Sequence, residues 1–389
     1  MNLIAAVLLF LGLSLASFYV FPSGQPQPAD FVLLGFAIIM SIMALGDEHL
    51  ELSPFVVSWG LMVLWVLFVS LAWTLVMETT GFLIYPAFFF FNFLVGMATL
   101  RFLRVYGSYA RSLIRIAVSI ALLVTATEVM VQLALGFNRA TGSFNNPNQM
   151  AYFSLCGIVV LMMLDDYRLQ LRPLVLSGLA AGMVGILSAS SLAAMGGGAL
   201  VVVGWAMANA TRIKHFARLV VAVPLFLIVV IVINLRADGQ IFNNLQKRMD
   251  RAPDKVEGVY EQRKFDRLEH FPEYAILGAG EGERQRFVPY HRAEIHSSFI
   301  NMLFAYGIPG FGLFLLVIFT ALRRAPAYVW VGMAGPLFYS MTHNGLRSTL
   351  FWLVLVLCWH LYRWGRQPVF YPPPAAQDEL VHVESSSRH

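Results

Sequence analysis

Residues 54–77 read PFVVSWGLMVLWVLFVSLAWTLVM, without one charged side chain. As a helix rising 1.5 Å per residue, such a run spans the roughly 30 Å hydrocarbon core of a bilayer. Similar runs recur along the chain, which is 58% apolar and only 13% charged, with a mean hydropathy of +0.68. Those values lie far outside the range of soluble domains. The runs are continuously apolar and lack a period of two, which excludes a transmembrane β-barrel and leaves helices.

The sequence therefore predicts an all-α, polytopic membrane protein with about twelve transmembrane helices. They fall near 3–21, 31–46, 54–77, 81–100, 112–136, 147–164, 173–189, 193–211, 216–235, 297–320, 326–342 and 348–362. The run from Pro173 to Ala210 is about twice one span and must fold back, with SASSLAAMGGG (188–198) as the turning point. The first run has no basic n-region or small-residue cleavage site and reads as a retained helix. The expected division is 1–235 for helices 1–9, 236–296 for a loop subdomain, 297–362 for helices 10–12 and 363–389 for a disordered tail. Cys156 and Cys358 lie inside apolar runs, so neither a structural disulfide nor a cysteine metal site is expected.

Lys and Arg bias in short loops sets orientation. Arg101, Arg104 and Arg111, Arg168 and Arg172, Arg212, Lys214 and Arg218, Arg323 and Arg324, and Arg363 and Arg366 mark alternate connections and the tail. These belong to the cytoplasm with both termini, and the 236–296 loop lies on the opposite side. In that loop PEYAILGAGEGE (272–283) reads as a Gly-rich turn region. LQKRMDRA and VEGVYEQRKFDRLEHF read as short amphipathic helices, with Val256, Val259, Tyr260, Phe265 and Leu268 as an apolar stripe. Five polar clusters then face outward: RATGSFNNPNQ (139–149), SASS (188–191), the long loop, HSS (296–298) and THNGLR (342–347).

His296 opens a late span, where the positive end of the helix dipole would keep an imidazole neutral and able to accept a proton from a hydroxyl. It would otherwise cap the helix. Gly307, Pro309 and Gly310, deeper in that span, read as a kink or a close helix contact. His343 assists catalysis or hydrogen-bonds across helices. Asn145 and Asn148 flank Pro147 in an ordinary N-cap arrangement, and beside Arg139 their amides would also suit sugar or phosphate oxygens. Glu128 is a candidate as an intramembrane carboxylate with Gln132 near it.

Twenty-three arginines stand against four lysines, and the planar guanidinium grips phosphate oxygens in pairs. The outward set comprises Arg139, Arg236, Arg248, Arg251, Arg263, Arg267, Arg284, Arg286, Arg292 and Arg347. Several would suit a lipid-linked diphosphate; alternatively they belong to a solvated loop balanced by its own carboxylates. No Asp-x-Asp or His/carboxylate set with metal-ligand spacing occurs on the outer side, which disfavours metal-assisted transfer. No Walker or dinucleotide motif occurs either, so the energy of any transfer resides in the substrate.

Together these residues resemble the O-antigen ligase and polymerase superfamily of bacterial envelope glycosyltransferases. His296, Ser297, Gly307 and Gly310 match a signature of His-[Asn/Ser/Gln], nine residues, Gly-x-x-Gly. Arg139, Gly142, Pro147 and Asn148 are similar to an Arg-x-x-Gly…Pro-Asn pattern that opens a middle helix. Arg263 before Ile276-Leu277-Gly278-Ala279-Gly280 looks like an Arg preceding Pro-Leu-Gly-x-Gly. One feature departs: SASSLAAM lacks the Arg of the family's Ser-Arg pair, which leaves Arg139, Arg284, Arg286 or Arg347 to substitute.

The resemblance implies a GT-C-like glycosyltransferase in the inner membrane with a periplasmic active site. Glycan would pass from undecaprenyl diphosphate to a sugar hydroxyl of lipid A-core without metal or cofactor, and no nucleic acid is involved. His296 would be the base, and Arg263 and Arg139 would hold the diphosphate. Asn145, Asn148, Arg284, Arg286, His343 and Arg347 complete the expected substrate-binding set. One large loop favours the ligase over a polymerase, which usually shows two, and protein O-glycosyltransferase is a third acceptor class. A transporter of about twelve helices is the alternative from another class, but it should show two similar halves, and no internal repeat is visible.

Overall fold

The computed structural model describes residues 2–22, 24–45, 52–137, 139–168, 172–210, 231, 234–235, 239–250, 263–288 and 294–363. Most of the span expected at 216–235 lies outside them, as do Val256, Val259, Tyr260, Arg236, Arg251, Arg292 and the tail beyond 363. The described residues are helical, with no strand among them. In chain order the helices are α1 Leu3–Ser14, α2 Pro28–Ala44, α3 Pro54–Met77, α4 Ile84–Ala134, α5 Pro147–Leu164 and α6 Pro173–Ser188. They continue with α7 Leu192–Asn209, α8 Gln240–Asp250, α9 Arg267–His270, α10 Ser298–Leu322, α11 Ala327–Thr342 and α12 Thr349–Tyr362.

Five helical stretches are long and apolar enough to cross a membrane: α3, Thr80–Ala134, α5, α7 and α10. Four shorter apolar helices, α1, α2, α6 and α12, accompany them. The bounds read from sequence at 54–77 and 147–164 coincide with α3 and α5, whereas α1 stops at Ser14, short of 21.

The helices expected at 81–100 and 112–136 are present as two helices that run together across a kink within the 51-residue stretch α4. Straight, it would be about 75 Å long, more than twice a hydrocarbon core. It breaks instead at Gly107 (φ 46°, ψ −114°), a backbone geometry open to glycine and strained for residues with a β-carbon. Arg101, Arg104 and Arg111 therefore sit on helical turns around the break and not in a loop. Arginine is a good helix former, and a continued helix keeps the backbone paired.

α5 and α12 are apolar around most of their circumference and buried on nearly every side, so the other helices pack around them. α7 lies against α11 closely enough that a β-carbon on Gly197 would be 2.8 Å from the Gly335 carbonyl oxygen. Such small-residue contacts bring helix backbones together where lipid offers no hydrophobic drive.

α10 breaks at Gly307 (φ 67°, ψ −174°), two residues before Pro309. The carbonyls of Phe304 and Ala305 would ordinarily accept from residues 308 and 309; Pro309 has no N–H to give. They accept instead from Ala279 and Gly280, both at 2.8 Å, while Ile308 donates to the Ala275 carbonyl at 2.9 Å. Trp65 Nε1 donates to the Tyr306 carbonyl at 2.7 Å and Trp73 Nε1 to that of Gly278 at 3.0 Å. The loop segment AILGAG (275–280) is thus docked into the break, which serves as a socket as well as the expected kink.

The second amphipathic helix read in the loop appears, within the described residues, as the single turn α9. Phe265 and Leu268 pack on a satellite core of Ala279, Phe287, Ile295 and Phe304. Arg267 is 3% exposed and lies 5.5 Å from the centroids of the Phe287 and Phe304 rings.

Candidate functional site

Helix ends gather the polar residues. Asn146 caps α5 by accepting from Gln149 N at 2.9 Å, with Pro147 in the first turn. The loop before it is tied to α4: Glu128 Oε2 accepts from Ser143 N and Oγ at 2.9 and 2.7 Å. Gln132 Oε1 accepts from Thr141 N and Gly142 N at 2.7 and 3.0 Å. Glu128 and Gln132 thus hold the loop that carries Arg139. The Arg139 guanidinium donates to the Ala189 carbonyl at 2.7 Å and to Asn148 Oδ1 at 2.9 Å. The Asn148 carbonyl in turn accepts from Tyr339 OH at 2.7 Å.

Ser297, not His296, caps α10, accepting from Ile300 N at 3.3 Å. His296 N–H meets the Arg263 carbonyl at 3.4 Å, and Arg263 Nη1 donates to the Thr342 carbonyl at 2.6 Å. His343 follows directly. Its carbonyl accepts from Ser298 N and Oγ, each at 3.3 Å, its Nδ1 lies 3.0 Å from Thr342 Oγ1, and its ring stacks on Tyr339 at 4.3 Å. All five polar clusters singled out in the sequence contribute to this junction.

A cavity of about 290 Å³ opens beside it, lined by His296, His343, Tyr339, Asn148 and Arg347, and from the N-terminal region by Tyr19, Gln25 and Asp30. Arg139 and Arg263 stand just outside. Arg139 reaches the cavity wall through Asn148, and Arg263 through the carbonyl beside His343.

His296 is open to solvent, yet the burial it has, and then the Arg263 charge, hold its pKa below the usual imidazole value. Ser297 holds the N-cap position, and His296 stands one residue before it. His343 is pushed down to about 3 by burial, with Arg263, His296 and Arg139 adding to the effect. Both rings are neutral at pH 7.

Burial, assisted by Arg248, lowers Arg139 to about 10, and burial lowers Arg263. Both remain cationic at neutral pH, and among the described residues neither forms an ion pair with a carboxylate. Arg347 differs. It bridges Glu281 at 2.8 Å and Glu294 at 3.2 Å; burial alone would lower its pKa, but the two carboxylates outweigh burial and raise it. Arg284 pairs with Glu294 at 3.4 Å. Arg286 is boxed between Phe287, Trp73 and Phe82 with centroids at 4.5, 4.6 and 4.9 Å. It donates to the Ala279 and Gly280 carbonyls, so it clamps the docked loop and does not line the cavity.

Of the residues singled out from sequence, His296, His343, Asn148, Arg139, Arg263 and Arg347 come together here. Asn145 is exposed and donates to the Phe21 carbonyl at 3.2 Å, while Asn146 takes its place in the cavity wall. Sequence reading passed over Tyr339, although it lies one helical turn before His343, a spacing that puts two side chains on one face. It also passed over residues 15–30. No family model matches the chain, and no curated protein does.

Proposed function

We propose that this chain is an inner-membrane glycosyltransferase that moves O-antigen glycan from undecaprenyl diphosphate to a sugar hydroxyl of lipid A-core at the periplasmic face. One observation carries the reading: two half-buried guanidiniums, Arg139 and Arg263, lacking carboxylate partners among the described residues, stand beside two neutral imidazoles. Buried cations without counter-charge favour an incoming polyanion, and arginine suits phosphate oxygens. A neutral imidazole at a cavity can accept a proton.

In the proposed step the acceptor hydroxyl gives its proton to His296 as its oxygen bonds to the anomeric carbon. The bond from that carbon to the diphosphate oxygen breaks, and its electron pair leaves on the diphosphate, where Arg263 and Arg139 offset the charge. His343 is the weaker base, because an imidazole with a pKa near 3 binds a proton poorly at neutral pH. It positions Tyr339 and the α10 N-terminus instead. The glycosyl–phosphate bond supplies the driving force, and the proposed step assigns the proton to His296 and the leaving-group charge to the two arginines.

The layout of about twelve crossings with a GT-C-like arrangement belongs to this proposal, and the five membrane-length helices are compatible with it. Deleting the gene tests the acceptor. Full-length chains stranded on the carrier support a ligase, and single unpolymerised units would replace it with a polymerase.

A further inference from the structure

Residues 15–30 (LASFYVFPSGQPQPAD) hold no basic side chain, yet they build part of the cavity wall. Gln27 fixes this loop from within: its Oε1 accepts from Val20 N and Phe21 N at 2.9 and 3.0 Å, and its Nε2 donates to the Phe21 and Gln25 carbonyls at 3.0 Å. The Arg139 loop fixes it from without. Asn145 Nδ2 donates to the Phe21 carbonyl at 3.2 Å, and the Tyr19 ring packs on Phe144 at 4.9 Å. Tyr19, Gln25 and Asp30 are therefore presented to the cavity by a preorganised segment.

Asp30 Oδ2 accepts from Gln27 N at 2.7 Å, and among the described residues Asp30 forms no ion pair with a cation. An ionised carboxylate offers about four acceptor sites, so most of its capacity is unused. The arginine that lines the cavity, Arg347, is already neutralised by Glu281 and Glu294. The cavity thus presents the Asp30 carboxylate, the paired Arg347 and Glu294, carboxamides, phenols and neutral imidazoles, while Arg139 and Arg263, which have no counter-charge among the described residues, lie outside it. An anion would meet Asp30 unfavourably. A hydroxyl-rich neutral ligand would satisfy it, because a carboxylate accepts from adjacent hydroxyls and a carboxamide both gives and accepts.

We infer that the Tyr19–Gln25–Asp30 wall is a saccharide subsite that binds sugar hydroxyls and selects which sugar is set before His296. The inference rests on the glycosyltransferase reading of the same cavity. The volume, about 290 Å³, lies at the small end of ligand pockets, which run from about 300 to 1,000 Å³. It suits a terminal sugar and not a length of polymer.

The test uses full-length protein in lipid nanodiscs. Saturation-transfer NMR would report binding of glucose, galactose and N-acetylglucosamine, and native mass spectrometry would report binding of undecaprenyl diphosphate. Wild type is expected to bind at least one of the sugars, and Asp30→Asn and Gln25→Ala to weaken it about tenfold while binding the carrier as wild type does. Asparagine keeps an oxygen for Gln27, Gln25 is exposed, and thermal unfolding checks that both variants fold. In a transfer assay, a raised KM for acceptor alone assigns the subsite to the acceptor, and one for donor alone to the donor's first sugar; both support it. Unchanged sugar binding in folded variants overturns the inference, as does a wild type that binds carrier but no sugar; either leaves the glycosyltransferase reading standing. A wild type that binds sugar through this wall but not carrier supports the subsite and removes the diphosphate reading.

Discussion

Gly278 and Gly307 cross without room for a β-carbon on either. One built on Gly307 would lie 2.2 Å from the Ile276 carbonyl oxygen, and one on Gly278 would lie 2.4 Å from that of Ala305. Both have positive φ. This crossing docks the AILGAG segment into the α10 break and sets the spacing of the groups on either side. Arg263 precedes the docked segment in the chain, Glu281 directly follows it, and His296 heads α10.

Gly307→Ala should destabilise the protein by at least about 2 kcal/mol, through a strained φ and a backbone clash together. A thermal melt in detergent measures it. A melting temperature equal to wild type would mean that the crossing can relax at no cost.

His343 should make the fold acid-sensitive. Its pKa is 6.5 in the ordinary state and about 3 here, so between those values the unfolded chain binds a proton that the folded chain does not. Stability contributed by the neutral ring is intact above pH 6.5 and falls with decreasing pH, at up to about 1.4 kcal/mol per unit. His343→Gln should melt with a shallower dependence between pH 7.5 and 5. Equal losses in the two proteins would show that another group governs the acid response.

His296→Ala should abolish glycan transfer without lowering the melting temperature appreciably, and normal lipopolysaccharide ladders in cells carrying it would remove the base assignment. Arg263 holds the His296 pKa down; removing that charge raises it. The residual activity of Arg263→Gln should therefore lose its acid limb at a higher pH than wild type. A downward shift of the kcat/KM profile would contradict the electrostatic coupling.

The arginines should separate into two classes. Arg263→Gln and Arg139→Gln should each weaken undecaprenyl diphosphate binding about tenfold or more with a modest effect on melting. Arg286→Gln should do the reverse, because it empties the aromatic box and releases the docked loop. Native mass spectrometry and thermal unfolding on the same preparations distinguish the classes.

Much of the scaffold was legible because the forces that form it are local. Continuous apolar runs make membrane-length helices, since hydrocarbon leaves a backbone no partner but itself. The bounds of α3 and α5 and the Asn146-Pro147 start follow from neighbouring residues. The polar clusters at 139–149, 188–191, 296–298 and 342–347 were visible as interruptions of that greasy background. The division of labour among the arginines was not. Arg347 is neutralised by Glu281, which lies 66 positions away in the chain, whereas among the described residues Arg139 and Arg263 meet carbonyl and amide oxygens. Likewise Asp30, in the first turn of α2, joins the cavity through the packing of the Gln27-held segment before it on the loop that opens α5. Hydropathy and capping act within a few turns of one helix, but counter-charge and cavity lining depend on contacts between distant segments, which exist only once the chain has packed.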